Sequence, residues 1–129
     1  MAVDRDGRFS AEGGAAAHFG REWTAEHLLL AALARCSLAA LSYHARRDGL
    51  WLLASAKAQG VVARRADGDW GFVELACEID ARIDPGPADL GGLLARAERG
   101  CFVGASLEPR PRYAWTVNGE STSARAEPS

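Results

Sequence analysis

The sequence predicts an α+β domain in which one long apolar helix packs against an antiparallel sheet. Three observations support this: an unbroken helical stretch, a strand pair joined by Asp67-Gly68, and a second amphipathic helical stretch. With 129 residues, the chain is long enough for a single core but not for two. We therefore predict one domain over residues 1–119, followed by a disordered tail over 120–129.

The long helix has clear start and stop signals. Residues 8–11 favour a strand edge, and a Gly/Ala-rich loop follows it. Thr24 is a favourable N-cap, and Glu26 places a negative charge in the first turn, where the helix dipole stabilises it. No residue breaks the helix from Ala25 to about Arg47, and Gly49 suits the position after its end.

The composition of this helix predicts where it lies. Leucine and alanine fall on every face of its first two-thirds, a pattern typical of a helix buried all round at the centre of a protein. Its last turns are polar and basic, so this end is expected to reach solvent. The basic group consists of His44, Arg46 and Arg47.

Two strands are predicted after the helix, over 53–65 and 70–83. Asp67-Gly68 between them favours a two-residue hairpin turn. The second strand alternates, and its apolar face is expected to cover the long helix. That face comprises Val73, Leu75, Cys77, Ile79, Ala81 and Ile83.

The remaining chain continues the mixed pattern. Residues 90–99 have apolar side chains at helical spacing, and Gly100 interrupts the helix just before Cys101. A short helix is predicted over 102–107 and a closing strand over 113–117. From Glu120 onward the residues are small and polar, which favours disorder.

Charge and composition exclude several classes of function. The formal charge of −2 gives no electrostatic reason to expect a nucleic-acid partner or an anionic membrane partner. The longest apolar run, 28–34, is stopped by Arg35, far short of the roughly 20 residues of a membrane span. Because the N-terminus has no apolar signal core, we expect a cytoplasmic protein whose thiols are kept reduced.

The three cysteines have different surroundings in the sequence. Cys77 lies on the apolar face of a strand, which indicates packing. For Cys36, periodicity alone also favours packing, whereas Cys101 follows a helix-ending glycine and stays open between packing and chemistry. No CxxC motif or Cys/His ligand spacing is present, so we expect no zinc site and no metal, flavin or haem cofactor.

Two segments together resemble the OsmC/Ohr family of thiol peroxidases. In that family a Pro-Glu pair opens a long helix of small and apolar residues, and the peroxidatic cysteine follows the glutamate by ten residues. Glu26 and Cys36 keep this interval within the stretch 23–36. The segment 99–107 is similar to the family's second cysteine motif, and its Cys101 lies 65 positions after Cys36. The likeness covers roughly residues 3–118.

The sequence departs from the family pattern at its N-terminal end. Ala25 replaces the usual proline, which only pre-organises the start of a helix. The family pairs an arginine with the reactive cysteine, and two residues compete for that position here. Arg5 is similar to the Ohr placement and Arg21 to the OsmC placement; we favour Arg5, and a solvated surface residue is the alternative for either.

The resemblance implies an activity and a set of partners. Cys36 would reduce an organic hydroperoxide, Cys101 would form a disulfide with it, and a lipoyl-type dithiol would reduce that disulfide. Glu26 lies about 15 Å from Cys36 along one helix, so it would act through a long arginine or serve the cysteine of a second subunit. The family's intertwined homodimers agree with the second arrangement. Two alternatives stay open: a non-catalytic dimer that binds an apolar small molecule, and a redox-sensing thiol protein.

Overall fold

The computed structural model describes residues 1–126, and it confirms the mixed α+β class. Ten elements follow one another along the chain. They are β1 (Ala2–Val3), β2 (Arg8–Ser10), β3 (Ala17–His18), α1 (Ala25–Arg47), β4 (Trp51–Arg64), β5 (Trp70–Asp84), α2 (Leu90–Gly100), α3 (Phe102–Ala105), β6 (Arg112–Val117) and β7 (Glu120–Thr122).

The ends of α1 are capped as the sequence predicts. The Thr24 side chain accepts a hydrogen bond from the His27 N–H, and the His27 ring accepts one from the Thr24 N–H, each over 3.2 Å. These two bonds form a capping box in which histidine replaces the usual Glu or Gln. At the other end, Gly49 adopts a φ of 73°, and the Leu50 N–H bonds to the Ala45 carbonyl, which closes a Schellman motif.

The prediction that α1 is buried all round is wrong for a single chain. Only one stripe of the helix is buried, at the helical spacing of a single face. That stripe comprises Leu33, Ser37, Ala40, Leu41 and Ala45. Small apolar residues such as Ala31, Ala32 and Ala39 are exposed on the opposite side, so this chain alone does not cover the whole helix.

By length and composition, α1 would also pass as a membrane-spanning helix. It has 23 residues and a mean hydropathy of 1.4 over its most apolar window. Core helices of proteins outside membranes often share these properties, and here the buried stripe of α1 packs into the same core as β5 and α2.

The β4–β5 hairpin is confirmed, with a turn longer than the predicted two residues. The Arg65 N–H bonds to the Asp69 carbonyl, and Gly68 adopts a φ of 92° between them. This is a three-residue loop that ends in the left-handed conformation glycine favours. Further along, Val61 pairs with Glu74 and Val62 with Phe72, so Val73 is an extra residue in the ladder. Val73 is exposed for this reason, while the other predicted inward residues of β5 are buried.

The main sheet is mixed rather than antiparallel as predicted. Its strand order is β4-β5-β6-β7, and β6 runs parallel to β5. The chain reaches β6 through α2 and α3, which cross over the sheet, as parallel neighbours require. This crossover packs α3 against α1. Cys101 lies at the start of α3 and Cys36 lies on α1, so both candidate cysteines belong to this packing.

The N-terminal segment forms a separate three-stranded sheet, of which the sequence predicts only β2. Strands β1, β2 and β3 pair antiparallel in that order. The Asp4 side chain accepts hydrogen bonds from the Asp6 and Arg8 N–H groups and thereby closes the first turn. Two aromatic contacts tie this sheet to the start of α1, with centroids 4.9 Å apart between Phe9 and Phe19 and 5.8 Å apart between Phe19 and Trp23.

The predicted disordered tail over 120–129 is partly wrong. Glu120–Thr122 is strand β7, which pairs antiparallel with β6. Beyond it, Arg125 bonds to the Gly91 carbonyl through its N–H and to the Asp89 carboxylate at 3.0 Å through its side chain. Residues 127–129 lie outside the described residues. The tail therefore contributes an edge strand and a tether to α2.

Candidate active site

The fold brings Cys36 and Cys101 together although 65 residues separate them. Cys36 lies in the middle of α1, and Cys101 lies at the junction of α2 and α3. Helix α1 packs against α3, and each of the two thiols perturbs the ionisation of the other. Both are free thiols. Their interaction across the α1–α3 packing is the central observation at this site.

Cys101 is fully buried and surrounded by hydrogen-bond donors. Its Sγ lies 3.4 Å from Ser37 Oγ, and it accepts a bond of 3.4 Å from the Gly104 N–H. Burial raises the pKa of the Cys101 thiol, but its polar neighbours outweigh burial and lower the pKa below its ordinary value; Ser37 acts most strongly, followed by the Gly104 N–H, the nearby Tyr113 hydroxyl and Cys36. The environment therefore favours the anionic form of this sulfur.

Cys36 is half-buried, and its pKa is shifted in the opposite direction. Burial is the main cause and raises the pKa of the Cys36 thiol. The backbone N–H groups of Val103 and Phe102 act against this effect, whereas Cys101 adds to it. Within one chain, the Cys36 thiol is thus held in its protonated form.

An apolar cavity of about 550 Å³ opens beside Cys36. Its lining comes from one face of α1 and from the α2–α3 junction: Cys36, Ala39, Ala40, Tyr43, His44, Gly100 and Phe102. Burial and the nearby Arg96 guanidinium lower the pKa of His44, so its imidazole is neutral at pH 7. The walls of this cavity suit an uncharged, apolar group rather than an ion.

The structure does not bring the predicted arginines or Glu26 to Cys36 within one chain. Arg5 lies in the turn between β1 and β2, Arg21 lies in the loop before α1, and Glu26 lies in the first turn of α1; all three are exposed. None of them is among the groups that perturb the Cys36 thiol.

Cys77 lies in the core as the alternation of β5 predicts, with no exposed surface. Burial raises the pKa of its thiol, and a hydrogen bond with Ser37 only partly offsets that effect. A protonated, inaccessible thiol is a poor nucleophile. The burial agrees with a packing role.

Replacement of Cys77 by alanine tests this role. We expect the rate of peroxide consumption to change by less than about twofold and the free energy of unfolding to fall by about 1 kcal/mol, since one buried sulfur is lost. Urea denaturation and a peroxide assay on the same sample measure both quantities. A large loss of rate at unchanged stability would give Cys77 a chemical role instead.

Sequence reasoning missed two polar residues at this site, Ser37 and Tyr113. Ser37, which directly follows Cys36 on α1, has 2% of its surface exposed, and its hydroxyl lies against the Cys101 sulfur. Tyr113 reaches the same place from β6, beside Gly104. The one sequence signal that marks Ser37 is a polar residue in the middle of an apolar helix, directly after the predicted nucleophile Cys36. No pattern marks Tyr113, because only the parallel pairing of β6 places it there.

Comparison with known proteins supports the resemblance. The sequence model of the family described as OsmC-like protein matches residues 18–116. None of the curated proteins matches the chain.

Solved structures of this family share the fold. An OsmC-like protein of unknown function from Vibrio cholerae superimposes with a TM-score of 0.70 at 14% identity, covering 84% of this chain and 82% of that one. An OsmC-like protein from Mycoplasma pneumoniae superimposes with a TM-score of 0.68 at 14% identity, covering 90% of this chain and 92% of that one. The organic hydroperoxide resistance protein OhrB of Bacillus subtilis superimposes with a TM-score of 0.54 at 14% identity, covering 74% of this chain and 70% of that one.

Proposed function

This chain belongs to the OsmC-like family, and we propose that it reduces organic hydroperoxides to alcohols with Cys36 as the attacking thiol. The observation that carries this proposal is that Cys36, at the wall of an apolar cavity, and the buried Cys101 perturb each other's ionisation. The OhrB protein of similar fold is named for organic hydroperoxide resistance, and we extend that substrate class to this chain.

The reaction proceeds in two steps on the paired sulfurs. The Cys36 thiolate attacks the outer oxygen of the hydroperoxide, the O–O bond breaks, and the alkoxide leaves as an alcohol after it takes up a proton. Cys36 is then a sulfenic acid. The Cys101 thiolate attacks the Cys36 sulfur, hydroxide leaves as water after protonation, and a Cys36–Cys101 disulfide forms. The depressed pKa of Cys101 favours this second step, because it raises the fraction of the resolving sulfur that is thiolate.

The cavity supports a preference for organic hydroperoxides over hydrogen peroxide. Its walls near Cys36 are methyl groups and rings, among them Ala39, Ala40 and Phe102. An alkyl group that leaves water for such a site gains roughly 25 cal/mol per Å² of buried apolar surface, and hydrogen peroxide has no such group. Binding thus favours the bulkier substrate.

Activation of Cys36 requires a positive charge, and within residues 1–126 of one chain no cation is among the groups that perturb this thiol. Burial alone raises the pKa of this thiol, so only a small fraction is thiolate at neutral pH. A guanidinium in contact with Sγ would reverse that shift. We propose that Arg5 of a second copy supplies it, with Arg21 as the alternate, and that Glu26 orients the guanidinium across an antiparallel pair of α1 helices.

The surface of the chain supports such a homodimer. One side of α1 exposes small apolar residues, and β4 is an edge strand of the main sheet. Large apolar side chains on the hairpin are also exposed, including Trp51, Leu53 and Trp70 at 57%, 61% and 67%. Exposed apolar surface of this kind favours association with a second copy.

The reductant is proposed to be a cytoplasmic dithiol of the lipoyl type. A dithiol reduces the Cys36–Cys101 disulfide in two exchanges and leaves as its own cyclic disulfide. Its aliphatic chain would occupy the same apolar cavity as the peroxide. No metal or flavin takes part in this scheme, and neither a membrane nor a nucleic acid is a proposed partner.

Turnover of cumene hydroperoxide with dihydrolipoamide tests the function, and arginine variants test the activation. For Arg5→Ala we expect kcat/KM to fall about 10- to 100-fold, because the thiolate loses its counter-charge. Arg21→Ala and the exposed control Arg8→Ala are expected to stay within about threefold of wild type. Steady-state kinetics on the three variants measure this.

A large loss in Arg21→Ala alone would transfer the role to Arg21. No loss in either variant would show that neither Arg5 nor Arg21 activates Cys36.

The raised pKa of Cys36 within one chain favours a second candidate function. In that case the fold would serve as a dimeric module that binds an apolar small molecule in the cavity beside Tyr43 and Phe102. The wild-type protein would then bind an apolar fluorescent probe but consume no hydroperoxide. A redox-sensing role of the same cysteine pair would instead show oxidation by peroxide without sustained turnover.

A further inference from the structure

We propose that Tyr113, Ser37 and the Gly104 N–H form a donor set that holds Cys101 as the leaving thiolate when a dithiol reduces the Cys36–Cys101 disulfide. The proposal rests on the proposed function for the disulfide itself. It adds a direction to the reductive half-reaction: the dithiol attacks Cys36, and Cys101 leaves. It also gives Tyr113 a role in catalysis.

Two of the three donors already contact the Cys101 sulfur. The Gly104 N–H donates to Sγ over 3.4 Å from one side, and Ser37 Oγ lies 3.4 Å away on another. Both groups are buried along with the sulfur. Donors removed from water in this way stabilise an anion more strongly than exposed ones do.

The third donor, the Tyr113 hydroxyl, is buried beside the same sulfur with an unused hydrogen bond. Among residues 1–126 it has no hydrogen-bond partner of good geometry. A Cβ built on Gly104 would lie 2.6 Å from Tyr113 Oη and 3.2 Å from Cys101 Sγ, so the hydroxyl and the sulfur flank the same small space. A buried hydroxyl without a partner is costly unless another state of the protein uses it.

Tyr113 is suited to donate rather than to accept. Burial raises the pKa of its phenol far above the usual value, so the proton stays on the oxygen when the Cys101 thiol ionises. Its ring stacks on Trp115 at a centroid distance of 5.9 Å, which fixes the hydroxyl from strand β6. The absence of a side chain at Gly104 leaves the approach to Cys101 open.

The accessibility of the two sulfurs sets the direction of reduction. Cys36 lines the open cavity, whereas Cys101 has no exposed surface. The thiolate of the external dithiol therefore attacks Cys36 Sγ, a new sulfur–sulfur bond forms, and the Cys36–Cys101 bond breaks with its electron pair on Cys101. The second thiol of the reductant then attacks its own bound sulfur, and Cys36 leaves as a thiolate. Two electrons pass from the dithiol to the protein, and a low-pKa leaving thiol speeds the first exchange.

The test uses Tyr113→Phe, which removes the hydroxyl and keeps the ring. The disulfide is formed with diamide instead of peroxide, so its reduction by dihydrolipoamide can be followed even if the protein reduces no hydroperoxide. We expect the first exchange to slow about threefold. In a Cys36→Ser background, we expect the pKa of Cys101, read from thiolate absorbance, to rise by about one unit on Tyr113→Phe.

Thr116→Val on the same strand is the matched control, because it also deletes one hydroxyl. It should leave both the exchange rate and the Cys101 pKa at wild-type values. An unchanged Cys101 pKa in Tyr113→Phe would overturn the proposal, whatever happens to the rate. If Tyr113→Phe fails to fold, 2-mercaptoethanol added to the oxidised wild-type protein decides instead: an adduct on Cys36 supports the direction of attack, and one on Cys101 refutes it.

Discussion

Cys36→Ser is expected to reduce the consumption of cumene or tert-butyl hydroperoxide to the rate of buffer alone, a loss of about three orders of magnitude or more. A serine hydroxyl does not ionise near neutral pH, and it does not form the sulfenic acid on which the cycle depends. The fold should be unaffected, because Cys36 is half-buried and serine is of similar size. Peroxide consumption under excess dihydrolipoamide, with matched far-ultraviolet circular dichroism, measures the effect.

Cys77→Ala serves as the control for this result, since it removes a thiol from the same molecule at a site with no exposed surface. Both variants should fold, but only the Cys36 variant should lose activity. Undiminished turnover in Cys36→Ser would assign the reactive thiol elsewhere, and the peroxidase mechanism given above would then be wrong.

Cys101→Ser is expected to stop the cycle at a different point. The first oxidation of Cys36 should proceed, but its sulfenic acid has no neighbouring thiolate to condense with. Turnover should fall by about tenfold or more, because the dithiol must then reduce an unresolved sulfenic acid directly. Excess peroxide should convert Cys36 to the sulfinic acid, which mass spectrometry detects as the addition of two oxygen atoms.

A burst experiment separates this outcome from a general loss of function. One equivalent of peroxide should be consumed by Cys101→Ser at close to the wild-type rate, followed by inactivation in further peroxide. Ser106→Ala, on the same segment, removes a hydroxyl that donates to the Phe102 carbonyl, and this control should turn over normally. Full turnover by Cys101→Ser without over-oxidation would mean that Cys101 is not the resolving thiol.

Local signals were sufficient to predict most of the fold. Thr24 and Gly49 bound α1 because capping depends on residues next to the helix ends, and the alternation of β5 identifies its buried face. The parallel pairing of β6 was not predictable from such signals, since it depends on how the α2–α3 crossover packs. The strand β7 was missed because its polar residues pair at an edge and bury little.

The candidate site likewise has parts that the sequence predicts and parts that depend on tertiary packing. The cysteine pair was predicted from a resemblance; in the structure α3 packs against α1, and each thiol perturbs the ionisation of the other. The positions of Ser37 and Tyr113 beside Cys101 could not be predicted, because they arise only when three distant segments pack together. The position of the activating arginine is not fixed by one chain at all, since neither Arg5 nor Arg21 reaches Cys36 within it.

Peptide mapping after one equivalent of cumene hydroperoxide is the measurement that tests the central claim most directly. The protein is treated without reductant, its remaining thiols are alkylated, and its peptides are identified by mass spectrometry. We predict a single disulfide between Cys36 and Cys101, with Cys77 recovered as an alkylated thiol. A disulfide through Cys77, or three unmodified thiols after exposure to peroxide, would contradict the account.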